Sequence, residues 1–315
     1  MSKLLEIADL HVTFGAGDGA VTAVQGVSLT IGKGETHALV GESGSGKSVT
    51  ALSVMQLLPY PLASHPKGSI KFNGEELVGA PGGVMRKIRG NQIAMIFQEP
   101  LTSLNPLHSI EKQIAEVLFL HQHMTAKQAR ARVLELLDLV GLGEAASRLQ
   151  SLPHEFSGGQ QQRIMIAMAL ANNPDLLIAD EPTTALDVTI QAQVLKLMKD
   201  IQQKLGMAML LITHDLGIVR RMADTVSVMN DGRIVEQKAT EALFNDPQHD
   251  YTRHLLAAEP KGRPAPADPA APELLQGRDL KVWFPVKRGF LRRTVDHIKA
   301  VDGISLALKR GHTLG

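Results

Sequence analysis

An α/β fold with a mainly parallel sheet wrapped by helices is predicted by three features of the sequence. Short apolar runs at residues 36–40, 93–97, 176–180, 207–213 and 225–229 read as buried strands. Helical patterns lie between them, and strands alternating with helices build parallel sheets. A glycine-rich turn at residues 41–48 joins the first run to a helical pattern that opens at Val49.

Each element has its own signal. Val133, Leu136, Leu137 and Val140 fall on one helical face, with Thr125 and Gln128 spaced as a capping box and Gly141 as a stop. Asn230-Asp231-Gly232, between two strand-like runs, reads as a hairpin turn. Residues 261–273 carry Pro264, Pro266, Pro269 and Pro272 and predict an extended spacer, because proline at that density blocks helix and sheet ladders.

Beyond the spacer the beginning of the chain recurs. Leu4-Leu5, Asp9-Leu10 and Phe14 match Leu274-Leu275, Asp279-Leu280 and Phe284 at an offset of 270. The stretch from Val24 to Leu29 then matches Val301 to Leu306, and Gly34 matches Gly311, at an offset of 277. The second copy thus holds a longer loop, rich in Lys287, Arg288, Arg292 and Arg293. A long-period repeat implies a duplicated unit. The expected organisation is a first domain over 1–260, the spacer over 261–273, and the opening strands of a second, incomplete copy over 274–315.

Composition narrows the function. The 315 residues hold 33 Lys and Arg against 32 Asp and Glu, a formal net charge of +1. That leaves no bulk electrostatic basis for coating nucleic acid. Cysteine is absent, which excludes disulfides, thiolate metal sites and cysteine nucleophiles. The longest apolar runs fall far short of the ~20 residues of a membrane span. The N-terminus lacks the apolar stretch of a signal peptide, so a cytoplasmic protein is expected.

The chemistry gathers at a few positions. Gly41-Glu42-Ser43-Gly44-Ser45-Gly46-Lys47-Ser48 fits the phosphate-binding loop at every constrained position, between a strand and a helix as the motif demands. Its glycines let backbone N–H groups turn inward onto phosphate oxygens at a helix N-terminus. Lys47 can meet the β- and γ-phosphates, and the Ser48 hydroxyl can ligate Mg²⁺. The apolar run 176–180 ends in Asp180 and Glu181. The first can hold Mg²⁺ and the second can polarise an attacking water. His214 and Gln98 follow two other strand-like runs as polar groups at strand tips. Ser157-Gly158-Gly159-Gln160 opens a further helix and offers a second anion-binding start.

In this order the motifs resemble the ATP-binding domain of ABC transporters over residues 1 to about 236. The resemblance implies a P-loop NTPase fold with an antiparallel β subdomain and a helical subdomain at about 101–156. It makes Gln98 the Q-loop residue and a metal contact, Ser157 to Gln160 the signature, Ala185-Leu186-Asp187 the D-loop and His214 the switch. It places Phe14 where an aromatic residue stacks on adenine. It also implies head-to-tail pairing, in which Ser157 and Gly159 meet the nucleotide held by a partner domain. That partner is the second ATP-binding domain of a longer chain or a second copy.

Residues 98–106, residues 180–187 and the segment Gln248 to Leu256 resemble the oligopeptide, dipeptide and nickel importers, with a C-terminal extension of that type at about 237–260. The cysteine-ligated iron–sulfur cluster of several members cannot be carried over, since cysteine is absent. The fused arrangement and the basic loop resemble most the two-domain ATPases of microcin C and oligopeptide import. The fused glutathione importer ATPases are the nearest rival; a soluble ABC ATPase is a second class, and a nucleotide-binding module without catalysis a third. The resemblance implies ATP and Mg²⁺, two permease subunits, a periplasmic solute-binding protein, and a peripheral place on the cytoplasmic face of the inner membrane.

Overall fold

A computed structural model describes residues 3–98, 103–184, 186–258, 268, 270–289 and 293–314. They fall into two units that divide between Glu259 and Pro260. Ala185 of the expected D-loop, residues 99–102 after Gln98, residues 261–267 and 269 of the proline-rich stretch, and residues 290–292 of the basic loop lie outside the described residues.

The first unit opens with β1 (Lys3–Phe14) and β2 (Val21–Gly32), then β3 (Thr36–Val40) and α1 (Lys47–Val54). Next come β4 (Ala63–Phe72), β5 (Glu75–Glu76), α2 (Gly82–Ile88) and β6 (Ile93–Ile96). Among the described residues α3 (Ile110–Gln122), α4 (Ala126–Leu139) and α5 (Gly158–Ala169) come next. The chain continues through β7 (Leu176–Asp180), α6 (Val188–Leu205), β8 (Ala208–Thr213), α7 (Leu216–Met222), β9 (Thr225–Asn230), β10 (Arg233–Ala239), α8 (Thr240–Asn245) and α9 (Asp250–Ala257).

Six strands form the central sheet in the order β10-β9-β3-β8-β7-β6. All neighbours pair in parallel except β9 and β10. Every residue of β3, β7 and β8 is buried, as expected for strands covered on both faces. Strand periodicity then splits the core into layers. Leu177, Ala179, Met209 and Leu211 face a cluster built with α3, α4, α5 and α6. Leu176, Ile178, Leu210 and Ile212 face the opposite way, against α1 and the four-stranded antiparallel sheet β2-β1-β4-β5. A smaller cluster joins Ala38, Val40, Val226 and Val228 to α7, α8 and α9. Apolar burial of this kind contributes roughly 25 cal/mol per Å².

Local chemistry sets the ends of the elements. Thr125 and Gln128 form the expected capping box on α4, and Gly141 sits at φ +70° just beyond its end. Asp231 and Gly232, at φ +46° and +77°, make the turn between β9 and β10. Positive φ at both central residues matches the right-handed strand twist and selects Asp-Gly. No helix among the described residues is long and apolar enough to cross a membrane.

The second unit is a hairpin of β11 (Glu273–Arg288) and β12 (Arg293–Lys309). It repeats β1 and β2 in backbone detail. Asp9 sits at φ +48° and Asp279 at +46°. Asp9 donates its N–H to Ser28 Oγ at 2.8 Å, and Asp279 donates to Ser305 Oγ at 3.1 Å. Gly26 and Gly303 both hold positive φ, and a Cβ on either would come 3.2 Å from the aspartate Oδ1. The pairs Leu10 with Val27 and Leu280 with Ile304 follow the same shift of register. The hairpin leaves Leu274, Trp283, Phe284, Ile298 and Ile304 exposed, whereas Leu4 and Leu10 of β1 are buried.

Candidate functional site

The carboxyl ends of four parallel strands carry the polar groups singled out by the sequence. β3 runs directly into Gly41, β6 is followed by Gln98, β7 ends on Asp180 and Glu181, and β8 is followed by His214. Parallel pairing of β3 with β8, β8 with β7, and β7 with β6 puts these tips on one edge of the sheet.

The phosphate loop is held from outside by the backbone of its neighbours. Gly41 has φ +153°, and a Cβ there would stand 2.1 Å from Met229 O. At Gly46, φ +100°, a Cβ would stand 2.6 Å from Ala23 O. Only glycine permits both the dihedral and the approach. Ser43 and Gly44 are exposed at the tip of the loop, whereas Ser45 is buried and its carbonyl accepts the Gly232 N–H at 3.0 Å. Lys47 Nζ donates to the carbonyls of Gly41 and Glu42, each at 2.8 Å. Burial lowers the Lys47 pKa, and the carboxylates of Glu181 and Asp180 oppose that shift.

Ser48 Oγ donates to Asp180 Oδ1 at 3.1 Å. Burial pushes the Asp180 carboxyl up, against the stabilising bond from Ser48. A buried carboxylate beside a hydroxyl is a hard-oxygen pair, the donor chemistry that Mg²⁺ selects when phosphates and water complete its shell. The residues fit that ion. No group of three or more His, Cys, Asp or Glu among the described residues forms a metal site without a phosphate.

Glu181 is the best-anchored side chain of the site. Gln98 Nε2 and Thr184 Oγ1 donate to its Oε2 at 3.0 and 2.9 Å, and His214 Nδ1 lies 3.2 Å from its Oε1. Its backbone sits at φ +46°, in the left-handed region, and its N–H donates to Ile212 O at 2.9 Å. Such backbone costs on the order of 1–3 kcal/mol and persists where surrounding bonds fix it. The structure therefore brings Gln98, Glu181 and His214 together. The contact it gives Gln98 is to Glu181, not to Ser48 or Asp180.

Ser157 caps α5 and is exposed. Its Oγ accepts the Gln160 N–H at 3.3 Å, while Gln160 Oε1 accepts the Ser157 N–H at 2.9 Å. Gly158 has open space around it, and a Cβ on Gly159 would strike Ile190 at 2.7 Å. Among the described residues no hydrogen bond joins 157–160 to 41–48, so the two anion-binding helix starts are separate within one chain. Asp187 caps α6, accepting from the N–H groups of Thr189 and Ile190 at 3.1 and 3.0 Å. Phe14 is half-buried at the end of β1, packed against the antiparallel-sheet core and paired with Val21 and Ala63.

Two contacts escape a reading of the sequence. Thr184 reaches Glu181 within the turn after β7, and only the short spacing of two polar side chains hints at it. Tyr251, on α9, accepts the Glu42 N–H at 3.1 Å from 209 residues away, with no local signal. The S-x-x-Q spacing at Ser157 and Gln160 did carry a capping-box signal.

The fold and this site define a P-loop nucleotide-binding protein, and comparison with known proteins gives the family. The pattern of the ABC transporter family matches residues 24–184, and the chain belongs to that family. It is 60% identical over 312 residues to the peptidoglycan transport ATP-binding protein YejF of Agrobacterium fabrum, covering 99% of this chain and 57% of that protein. It is 52% identical over 260 residues to the oligopeptide transport ATP-binding protein OppD of Bacillus subtilis, covering 82% of this chain and 73% of that one. A solved ATP-binding cassette, MJ0796, in a dimeric post-hydrolysis state bound to ADP and Pi, superimposes with a TM-score of 0.67 at 28% identity. That match covers 75% of this chain and 99% of the cassette. The chain thus spans little more than half the length of its YejF relative.

Proposed function

We propose that this chain is the MgATP-binding and ATP-hydrolysing part of an importer of peptide-like solutes. It works at the cytoplasmic face of the inner membrane, with two permease subunits and a periplasmic solute-binding protein. The observation that carries the reading is Glu181, held by Gln98, Thr184 and His214 beside a phosphate loop and a Ser48–Asp180 pair. In that arrangement Lys47 and the loop amides hold the phosphates, Ser48 and Asp180 hold Mg²⁺, and Glu181 accepts a proton from the attacking water. Bound Mg²⁺ neutralises charge on the phosphate oxygens. His214 and Gln98 orient the carboxylate.

The signature residues Ser157, Gly158, Gly159 and Gln160, with Asp187, serve the nucleotide of a paired domain. The exposure of Ser157, Gly158 and Asp187, and the absence of a hydrogen bond from 157–160 to 41–48 among the described residues, support this. The relatives' names supply the solute class, since they include peptidoglycan and oligopeptide transport. Within it we favour microcin C or oligopeptide import, on the fused arrangement and the basic loop. A glutathione import ATP-binding protein from Pectobacterium atrosepticum, 43% identical over 343 residues, supports glutathione import to the same degree, and a dipeptide transport ATP-binding protein of Bacillus subtilis, 51% identical over 261 residues, supports dipeptide import. Residues 274–315 begin a second ATP-binding domain, a reading supported by the repeated bulge at Asp9 and Asp279. Residues 261–273 are the spacer between the two.

Co-purification from membranes tests the transport reading. Two multi-spanning permeases should be recovered with the tagged chain, and recovery of ribosomal or DNA-repair proteins in their place would refute it. Phe14 is testable separately. As an adenine platform its replacement in Phe14→Ala weakens ATP binding by about 0.5–1.5 kcal/mol beyond lost area, and Phe14→Tyr keeps it. A large fall in melting temperature with unchanged ATP affinity would assign Phe14 to the core instead.

A further inference from the structure

The C-terminal helix touches the phosphate loop. Tyr251 Oη accepts the backbone N–H of Glu42, the second residue of that loop, at 3.1 Å. Its position is tightly set. The buried Glu236 carboxylate on β10 accepts the N–H groups of Gln248 and His249 at 2.8 and 3.0 Å, just ahead of α9. Burial opposes the charge on Glu236, yet those two amides, with Lys238 nearby, hold its pKa down to about 2. His249 caps α9 by accepting the Tyr251 N–H at 3.2 Å. The ring of Tyr251, with Leu255 and Leu256, packs against the cluster that includes Val40 and Val228. Burial raises the Tyr251 pKa, the bond from the Glu42 N–H opposes that, and the Glu42 and Asp231 carboxylates add to the rise.

We infer that the segment from β10 through α9 braces the phosphate loop, and that Tyr251 is a positioning residue for nucleotide binding. The inference rests on the proposed MgATP site. A glycine-rich loop has a large entropy to lose before its amides converge on an anion. Besides the Ser48–Asp180 bond, the loop is tied at three points. Lys47 bonds the carbonyls of Gly41 and Glu42, Gly232 donates to Ser45 O, and Tyr251 accepts from Glu42 N. The first tie must open when Lys47 turns to phosphate. The other two come from the C-terminal third of the unit and use no group that must turn to the phosphates. Tyr251 therefore fixes the Glu42 peptide plane at the stage when Lys47 no longer does. The brace lies beyond residues 24–184, outside the stretch matched by the family pattern.

Equilibrium binding of MgATP to the full chain tests this. Tyr251→Phe keeps the ring and removes the acceptor, and it should weaken binding roughly three- to tenfold. Leu137→Ala, in the helical cluster on the sheet face opposite α1, should lower the melting temperature and leave the Kd at the wild-type value. Glu236→Gln should weaken binding in the same direction and combine with Tyr251→Phe less than additively, because both loosen one brace. A wild-type Kd in Tyr251→Phe would overturn the brace. So would a Leu137→Ala effect on Kd equal to that of Tyr251→Phe. If wild type and Lys47→Ala bind MgATP alike, the proposed site itself fails and takes the brace with it.

Discussion

Glu181→Gln should bind MgATP as the wild type does and lose roughly 10²–10⁴-fold in turnover, the usual contribution of a positioned general base. Glutamine fits the same space. Its amide oxygen can still accept from Gln98 and Thr184, which both donate to Oε2. Its amide nitrogen then faces His214 Nδ1 in place of a carboxylate oxygen. Geometry and the left-handed backbone at residue 181 are kept, and basicity is lost. Separate measurement of nucleotide binding and phosphate release reads the two effects apart. Wild-type turnover in this variant would remove the role assigned to Glu181.

Lys47→Ala should act on binding instead. A hydrogen bond to a charged group contributes about 1.5–3 kcal/mol, so affinity should fall roughly ten- to hundredfold. The loss has two parts. The phosphates lose their cation, and the carbonyls of Gly41 and Glu42 lose the donor that gathers the loop. Stability should change little, because removing a buried ammonium also removes its desolvation cost. A melting curve near wild type with weakened binding is the expected pair of results. Unchanged affinity for MgATP would show that the loop does not hold phosphate.

Sequence patterns made the central sheet legible wherever the signal was local. The runs at 36–40 and 176–180 are strands because they are continuously apolar and buried on both faces. Glycine spacing and flanking elements marked the phosphate loop, and a strand ending in two acids marked Asp180 and Glu181. What stayed hidden depends on long-range approach. Gly41 is pressed by Met229, and Glu42 is tied to Tyr251, across 188 and 209 residues. No periodicity encodes such a pair. The positive φ of Asp9 was equally hidden, although the recurrence of that aspartate at position 279 marked the hairpin as repeated.

A single composite phosphate site, whose loop binds nucleotide and whose carboxylate drives hydrolysis, is read out by titration of the 315-residue chain with MgATP, followed by phosphate release on the same sample. One nucleotide should bind per chain, since Gly41 to Ser48 is the one complete phosphate loop in the sequence. Binding should collapse in Lys47→Ala, and Glu181→Gln should retain binding but release almost no phosphate. Absence of saturable binding by the wild type, or undiminished binding by Lys47→Ala, would contradict the composite site.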